Sequence, residues 1–280
     1  MTIQEWLEIY VAMLKLHSDT PRLDAELLLC KVLSQDRAWI IAHQEFALQG
    51  PTLQRLDILA KQREKSIPMA YILGTCEFYG RSFAVNNNVL VPRPESETII
   101  ELLMQEIKNR KLLVEEITIA DIGTGSGVLG ITASLELQNL ETYLIDIDQQ
   151  CLDLAKENAD TYSVSAKLLQ GDLLQPYIAL QSPSAKDMFV LANLPYVPVG
   201  YEINDAAKHE PELALFGGRD GLSLYQRMFS QLNDITAKSI LVITESLPFQ
   251  HSQLSMTAKQ NGFDLCISRD LAQVFTRDLG

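Results

Sequence analysis

The stretch "ITIADIGTGSGVLGITASLEL", residues 117–137, decides how the rest of the chain is read. Ile117 to Ile122 is a run of strand formers with one carboxylate, Asp121, near its end. Gly123, Gly125 and Gly127 then alternate with Thr124 and Ser126, and from there to Leu137 the composition is that of a buried helix. Strand, glycine turn, helix is the opening of a βαβ unit. The glycines permit a sharp turn and leave backbone N–H groups at the helix start open to a ligand.

Working outward, the alternation continues. "TYLIDID" (142–148) is a strand, "QQCLDLAKENADTY" (149–162) a helix, and "AKLLQGDLL" (166–174) a strand plus turn. "MFVLANLPY" (188–196) is a strand, "LSLYQRMFSQLNDI" (222–235) a helix and "SILVITES" (239–246) a strand. "HSQLSMTAKQNG" (251–262) and "FDLCISRD" (263–270) add a helix and a closing strand. Such alternation implies an α/β domain, its mostly parallel sheet covered on both faces. Upstream, "TIQEWLEIYVAMLKLHS" (2–18) sets Trp6, Tyr10, Met13 and Leu14 on one helical stripe. "DTPRLDAELLLCKVLSQ" (19–35) opens with Thr20 as N-cap and Pro21 at the first helical position. "RAWIIAHQEFAL" (37–48) and "TLQRLDILAKQREKS" (52–66) supply two further helices. The expected organisation is a helical bundle over 1–67, a β-hairpin linker over 68–95 and the α/β domain over 96–280, which opens with a helix from Ser96 to Lys111.

Composition narrows the class. The net charge is −13, and residues 112–280 hold 10 basic and 22 acidic side chains, so the α/β domain carries −12. Gripping duplex phosphates needs clustered Lys and Arg, so direct nucleic-acid binding is not expected. Cys30, Cys76, Cys151 and Cys266 lie far apart and no two histidines stand at ligand spacing, so no metal is expected. The start lacks a signal-peptide pattern and no apolar run spans a bilayer, which reads as a cytoplasmic protein without a membrane partner.

The glycine turn parses in two ways. Gly125, Gly127 and Gly130 satisfy a dinucleotide pattern, with Asp146 at the distance of a ribose-binding acid. Alternatively, Asp121 with Gly123, Thr124, Gly125, Ser126 and Gly127 forms the acid-plus-glycine loop of S-adenosylmethionine enzymes. Electrostatics favours the second, because a carboxylate at the strand end repels a pyrophosphate but attracts a cationic amino group. Either way Asp146 offers two acceptor oxygens to ribose hydroxyls. Asp172, which ends the next strand, is a candidate for the adenine or an ordinary turn residue.

Asn193 ends the fourth strand counted from the loop, followed by Leu194, Pro195 and Tyr196. In an open α/β sheet that strand end borders the ligand crevice. A planar NH2 is a weak nucleophile that needs orientation rather than a strong base. The Asn193 side-chain oxygen and the Leu194 carbonyl would each accept one N–H. Pro195 fixes the backbone, and Tyr196 offers a flat face for stacking.

With these residues in place the chain resembles the HemK/PrmC family, S-adenosylmethionine-dependent methyltransferases of the glutamine in the Gly-Gly-Gln motif of class I peptide chain release factors. The resemblance rests on "PMAYILGTCEFYGRSFAVNNNVLVPRPESE" (68–97), "ADIGTGSG" (120–127), "ANLPY" (192–196) and "EPELALFGGRDGLSLY" (210–225). It implies a Rossmann-like class I methyltransferase domain with a mostly parallel seven-stranded sheet. It also implies S-adenosyl-L-methionine as cofactor, S-adenosyl-L-homocysteine as product, and an N-terminal bundle against which the release factor docks; a monomer is expected, although the residues themselves say nothing of oligomeric state. By resemblance, Gly123 to Gly127, Asp146, Leu173 and Asn193 contact the cofactor, and Asn193 to Tyr196 hold the substrate amide. Leu194 stands where the family usually has proline, and "SRDLAQVFTRDLG" (268–280) lacks the expected glycine and arginine. The alternatives are a glutamine methyltransferase of a large-subunit ribosomal protein, a nucleic-acid amino-methyltransferase, a nicotinamide-dependent dehydrogenase and a non-catalytic binding module. Arg93 and Glu97 are expected to tie the linker to the domain or shape the pocket mouth, an ordinary surface ion pair being equally open.

Overall fold

The computed structural model describes residues 1–138, 140–180 and 186–278. The chain divides into two compact units, Met1–Cys76 with Ile203–His209, and Glu77–Glu202 with Glu210–Gly280.

The first unit is helical. Helix α1 (Ile3–Leu14) starts at a capping box in which the Thr2 hydroxyl accepts from the Glu5 N–H while the Glu5 carboxylate accepts from the Thr2 N–H. Helices α2 (Pro21–Leu33), α3 (Arg37–Ala42) and α4 (Gly50–Glu64) follow. Trp6, Leu28, Leu29, Ile40 and Leu56 meet in one core. Thr20 is the N-cap residue of α2 with Pro21 opening the helix, as expected, although its hydroxyl donates to Asp24 rather than capping a backbone N–H. One expectation changes here. Residues Met69–Leu73 form a short helix, α5, ended by Gly74 at φ 79°, so the hairpin begins later than the apolar alternation implied. Helical spacing over five residues is too short to separate from strand alternation by pattern alone.

The hairpin itself is β1 (Thr75–Phe78) and β2 (Arg81–Ala84), turning at Tyr79 and Gly80. Helix α6 (Glu97–Arg110) leads into the sheet. Strands β3 (Ile117–Ile122), β4 (Glu141–Asp146), β5 (Ala166–Gln170), β6 (Asp187–Ala192), β7 (Ser239–Glu245), β8 (Asp264–Arg269) and β9 (Ala272–Asp278) form a seven-stranded sheet in the order β5-β4-β3-β6-β7-β9-β8. All neighbours run parallel except at β9, which is antiparallel to both β7 and β8. The closing tract expected as one strand is thus a pair, and Ala272–Asp278 occupies the inner place.

The intervening helices are α7 (Val128–Leu137), α8 (Gln149–Thr161), the short α9 (Gln175–Ile178) and α10 (Glu212–Leu215), α11 (Ser223–Gln231) and α12 (His251–Gln260). Strand side chains alternate between two cores. Ile117, Ile119, Phe189, Leu191, Leu241 and Ile243 face one, packed with α6, α7 and α8. Ala120, Ile122, Met188, Val190, Ile240 and Val242 face the other, packed with α11 and α12. Burial on both sides explains why these strands read as continuous apolar runs.

Candidate active site

Strands β3 and β6 lie side by side at the centre, in register from Ile117↔Asp187 to Ile122↔Ala192. The chain leaves β3 toward β4 on one side and β6 toward β7 on the other, so the crevice past their carboxyl ends is the topological switch point. A cavity of about 230 Å³ opens there.

Its floor is the glycine loop. Gly123, Gly125 and Gly127 take φ of 66°, 55° and 83°, the left-handed region where a side chain is strained. A Cβ on Gly123 would also press on Leu194 Cδ2 at 3.0 Å and fill the space between the loop and the Asn193 segment. The loop is pinned to β4, since the N–H groups of Gly123 and Thr124 both donate to Ile145 O, at 2.9 and 3.0 Å. Asp121 is 1% exposed and does not line the cavity. One of its oxygens accepts from the Thr124 hydroxyl at 2.7 Å and the Gly130 N–H at 2.9 Å. Burial pushes its carboxyl up to about 6, with those two hydrogen bonds pulling the other way. The direct attraction of a ligand's amino group expected of Asp121 therefore gives way to a loop-shaping task. Thr124, Ser126 and Gly127 likewise stand behind the wall, and the Ser126 carbonyl accepts from Asn158 Nδ2 at 2.8 Å.

The acidic wall is built from strand ends. Asp146, at the end of β4, lines the cavity and accepts from the Gly125 and Asp148 N–H groups, each at 3.0 Å. Burial raises its carboxyl above the usual range while those bonds offset part of the rise. Its two oxygens keep further acceptor capacity. Asp172 also lines the cavity, paired with Arg227 of α11. Leu173 beside it adopts φ 52°, a position held by the Leu174 N–H donating to Gln231 Oε1 at 2.8 Å. Ile145, Leu173 and Leu224 supply apolar surface.

Asn193, Leu194 and Pro195 line the opposite side; Tyr196 does not. Asn193 Nδ2 donates to Ser96 Oγ at 2.8 Å, and Ser96 Oγ donates to Glu245 Oε2 at 2.7 Å. The Tyr196 hydroxyl donates to Glu245 Oε1 at 2.8 Å. Desolvation raises both the Tyr196 phenol and the Glu245 carboxyl. Below them the fully buried Tyr225 accepts from the Leu194 N–H at 3.2 Å and donates to the Glu245 carbonyl. Leu194 O lies 3.4 Å from the same hydroxyl, whose proton is committed to Glu245 O, so the carbonyl keeps its acceptor capacity.

The segment after this motif packs onto its backbone. A Cβ on Gly217 would overlap Pro195 O, and one on Gly221 would overlap Tyr196 O. Gln250 Nε2 donates to Tyr196 O and Asp220 O, both at 2.8 Å. Two arms flank the mouth, Asn88–Leu90 and Pro211–Ala214, joined where Arg93 pairs with Glu210 at 2.6 Å and the Val91 N–H donates to the same carboxylate at 3.3 Å. Arg93 thus ties the two arms together without itself lining the cavity, whereas Glu97 accepts from the Tyr79 N–H at 2.7 Å and holds the hairpin turn.

Ser96, Tyr225 and Arg227 were not singled out by sequence reasoning. Glu245 carries the same signal that exposed Asn193, a polar residue ending an otherwise apolar buried strand. Among the described residues no cluster of three or more His, Cys, Asp and Glu side chains is arranged to hold a metal ion.

Comparison with known proteins follows the same division. A family described as PrmC N-terminal domain matches residues 5–74, and one described as methyltransferase small domain matches residues 97–197. The release factor glutamine methyltransferase of Bacillus anthracis is 36% identical over 223 residues, 79% of this chain and 77% of the relative. That of Clostridium botulinum is 33% identical over 273 residues, 95% of this chain and 94% of the relative. Among solved structures, the N-terminal domain of human METTL16 in complex with SAH superposes with a TM-score of 0.51 at 16% identity, covering 85% of this chain and 86% of that one. The T. thermophilus 16S rRNA methyltransferase RsmC, in complex with AdoMet and guanosine, gives 0.51 at 14% identity over 73% of this chain and 49% of that one. At such identities the likeness is of fold.

Proposed function

This chain belongs to the release factor glutamine methyltransferase family, and from that premise we propose that it methylates N5, the side-chain amide nitrogen of the glutamine in the Gly-Gly-Gln motif of class I peptide chain release factors. S-adenosyl-L-methionine, when bound, supplies the electrophilic methyl group. The cavity suits it: a glycine cradle that a Cβ at Gly123 would fill, acids at two strand ends for hydroxyls and base edge, and apolar side chains for a flat ring. In this reading Gly123 and Gly125 bring backbone against the ligand, Asp146 accepts from its ribose, and Asp172 and Leu173 border the base. Asp121 keeps the loop in shape from behind.

The observation that carries the reading is the Asn193 carboxamide, which lines the cavity with one N–H of its NH2 held by Ser96 Oγ. Asn193 Oδ1 and Leu194 O take one N–H each from the substrate amide and stabilise the positive charge that grows on its nitrogen. Pro195 restrains the backbone that follows Leu194; Tyr196, expected to offer a stacking face, does not line the cavity and instead anchors the motif from behind through Glu245. The N-terminal helical unit docks the protein substrate, and the enzyme acts in the cytoplasm as a monomer.

The test is incubation of the purified protein with labelled S-adenosylmethionine and a release factor, followed by mass spectrometry of the Gly-Gly-Gln peptide. One methyl on the glutamine is expected. Label on another protein or on RNA, with that glutamine unmodified, would overturn the assignment.

A further inference from the structure

The carboxamide of Asn193 works only one way round. With Oδ1 toward the substrate it accepts an N–H; with the NH2 outward it would set donor against donor. Oxygen and nitrogen are nearly the same size, so shape does not choose between the two orientations. Hydrogen-bond direction does.

Glu245 ends the chain of contacts as a carboxylate, an acceptor that cannot donate. It is 1% exposed, and its two oxygens receive protons from different hydroxyls, Tyr196 on Oε1 and Ser96 on Oε2. Ser96, 3% exposed, has one hydroxyl proton, and the carboxylate takes it. Ser96 Oγ can then face Asn193 only as an acceptor, so Asn193 must present Nδ2, as it does at 2.8 Å. Asn193 Oδ1 has no hydrogen-bond partner among the described residues, and Asn193 lines the cavity. We propose that Ser96 and Glu245 are positioning residues that set the polarity of the Asn193 carboxamide, holding its oxygen toward the substrate amide. This rests on the methyl-transfer reading above and adds the device that makes the acceptor point the right way.

Glu245→Gln puts the relay under direct test, because Tyr196 decides which end of the new side chain faces Ser96. The phenol still donates to the amide oxygen, which leaves the new NH2 facing Ser96. The Ser96 proton is then pushed toward Asn193, which turns its oxygen inward and its NH2 to the cavity. The expected result is a fall in kcat of about 100-fold, the size of a misplaced positioning group, with cofactor affinity within about twofold and an unchanged melting temperature. Ser96→Ala breaks the relay without reversing it, so kcat falls less. In that background Glu245→Gln adds little, because the two changes act through one chain of bonds. A readout independent of turnover is side-chain NH2 exchange of Asn193, by NMR of 15N-asparagine-labelled protein, with the signal assigned by its loss in Asn193→Ala. Slow exchange in wild type and fast exchange in Glu245→Gln are expected. Wild-type kcat in folded Glu245→Gln, or equal NH2 exchange in both proteins, would overturn the proposal. An inactive wild type with the exchange difference intact would instead count against the assigned substrate and leave the polarity device standing.

Discussion

Asn193 and Asp121 illustrate two uses of a polar side chain at a buried strand end. Asn193 is placed to meet the substrate, so Asn193→Ala should lower methyl transfer by at least about 100-fold while cofactor binding changes little, since loss of a charge-stabilising contact acts on the transition state. Single-turnover transfer and calorimetric titration of the cofactor separate the two. Asp121 works inward, and its carboxyl is raised to about 6 by burial. A native value above the ordinary one near 3.8 means that the folded state holds the proton more tightly. The stability this contributes is therefore full below about pH 4 and lost as pH rises through about 6. That rise corresponds to about 3 kcal/mol. Asp121→Asn removes the dependence, so the variant-minus-wild-type difference in urea unfolding should move by that amount in the variant's favour between pH 4 and pH 7.5. A flat difference would mean that Asp121 does not titrate in this range. Both residues were legible because a lone polar group closing an apolar run asks for a reason. Their directions, toward the cavity or away from it, were not.

At the scale of elements, the decisive feature is how closely the segment from Gly217 to Gly221 lies on the backbone of Asn193–Tyr196. Val197 N–H donates to Leu215 O, Gly217 N–H to Val197 O and Val199 N–H to Gly218 O, so the two segments run as a short parallel ladder. Gly221, at φ 78°, has no room for a methyl group against Tyr196 O. Gly221→Ala combines a left-handed alanine with a backbone overlap, and about 2–4 kcal/mol of destabilisation is expected, with Tyr196 displaced. Thermal unfolding and transfer rate should fall together, unlike the polarity variants, whose stability holds. The sequence marks these glycines as a turn-rich tract. It does not say which backbone they approach, because the contact pairs Gly221 with a residue well removed along the chain. The same limit explains α5: Met69–Leu73 is apolar enough to read as the hairpin's first strand, and its helical state follows from packing of Ile72 into the first unit's core.

For the whole molecule, stability in the second unit rests on the two apolar layers that cover the sheet. Phe275 of β9 is fully buried against Phe229 of α11, ring centroids 5.5 Å apart, and Phe229 meets Phe263 at 5.3 Å. Phe275→Ala should cost about 3–5 kcal/mol, as large aromatic deletions in packed cores do. Chemical denaturation with its midpoint unmoved would show that β9 is not an inner strand. Hydrophobic period and glycine punctuation already determined the α/β class, the glycine loop after β3 and the strand end that carries Asn193, because each is a local pattern within one strand–turn–helix unit. Tertiary structure alone decided that β9 slots antiparallel between β7 and β8, and that Ser96 and Glu245 meet Asn193. Those contacts span 97 residues from Ser96 to Asn193 and 149 from Ser96 to Glu245. A hydrogen bond between groups so far apart in sequence is set by which strand ends the sheet brings together, and no local propensity encodes it.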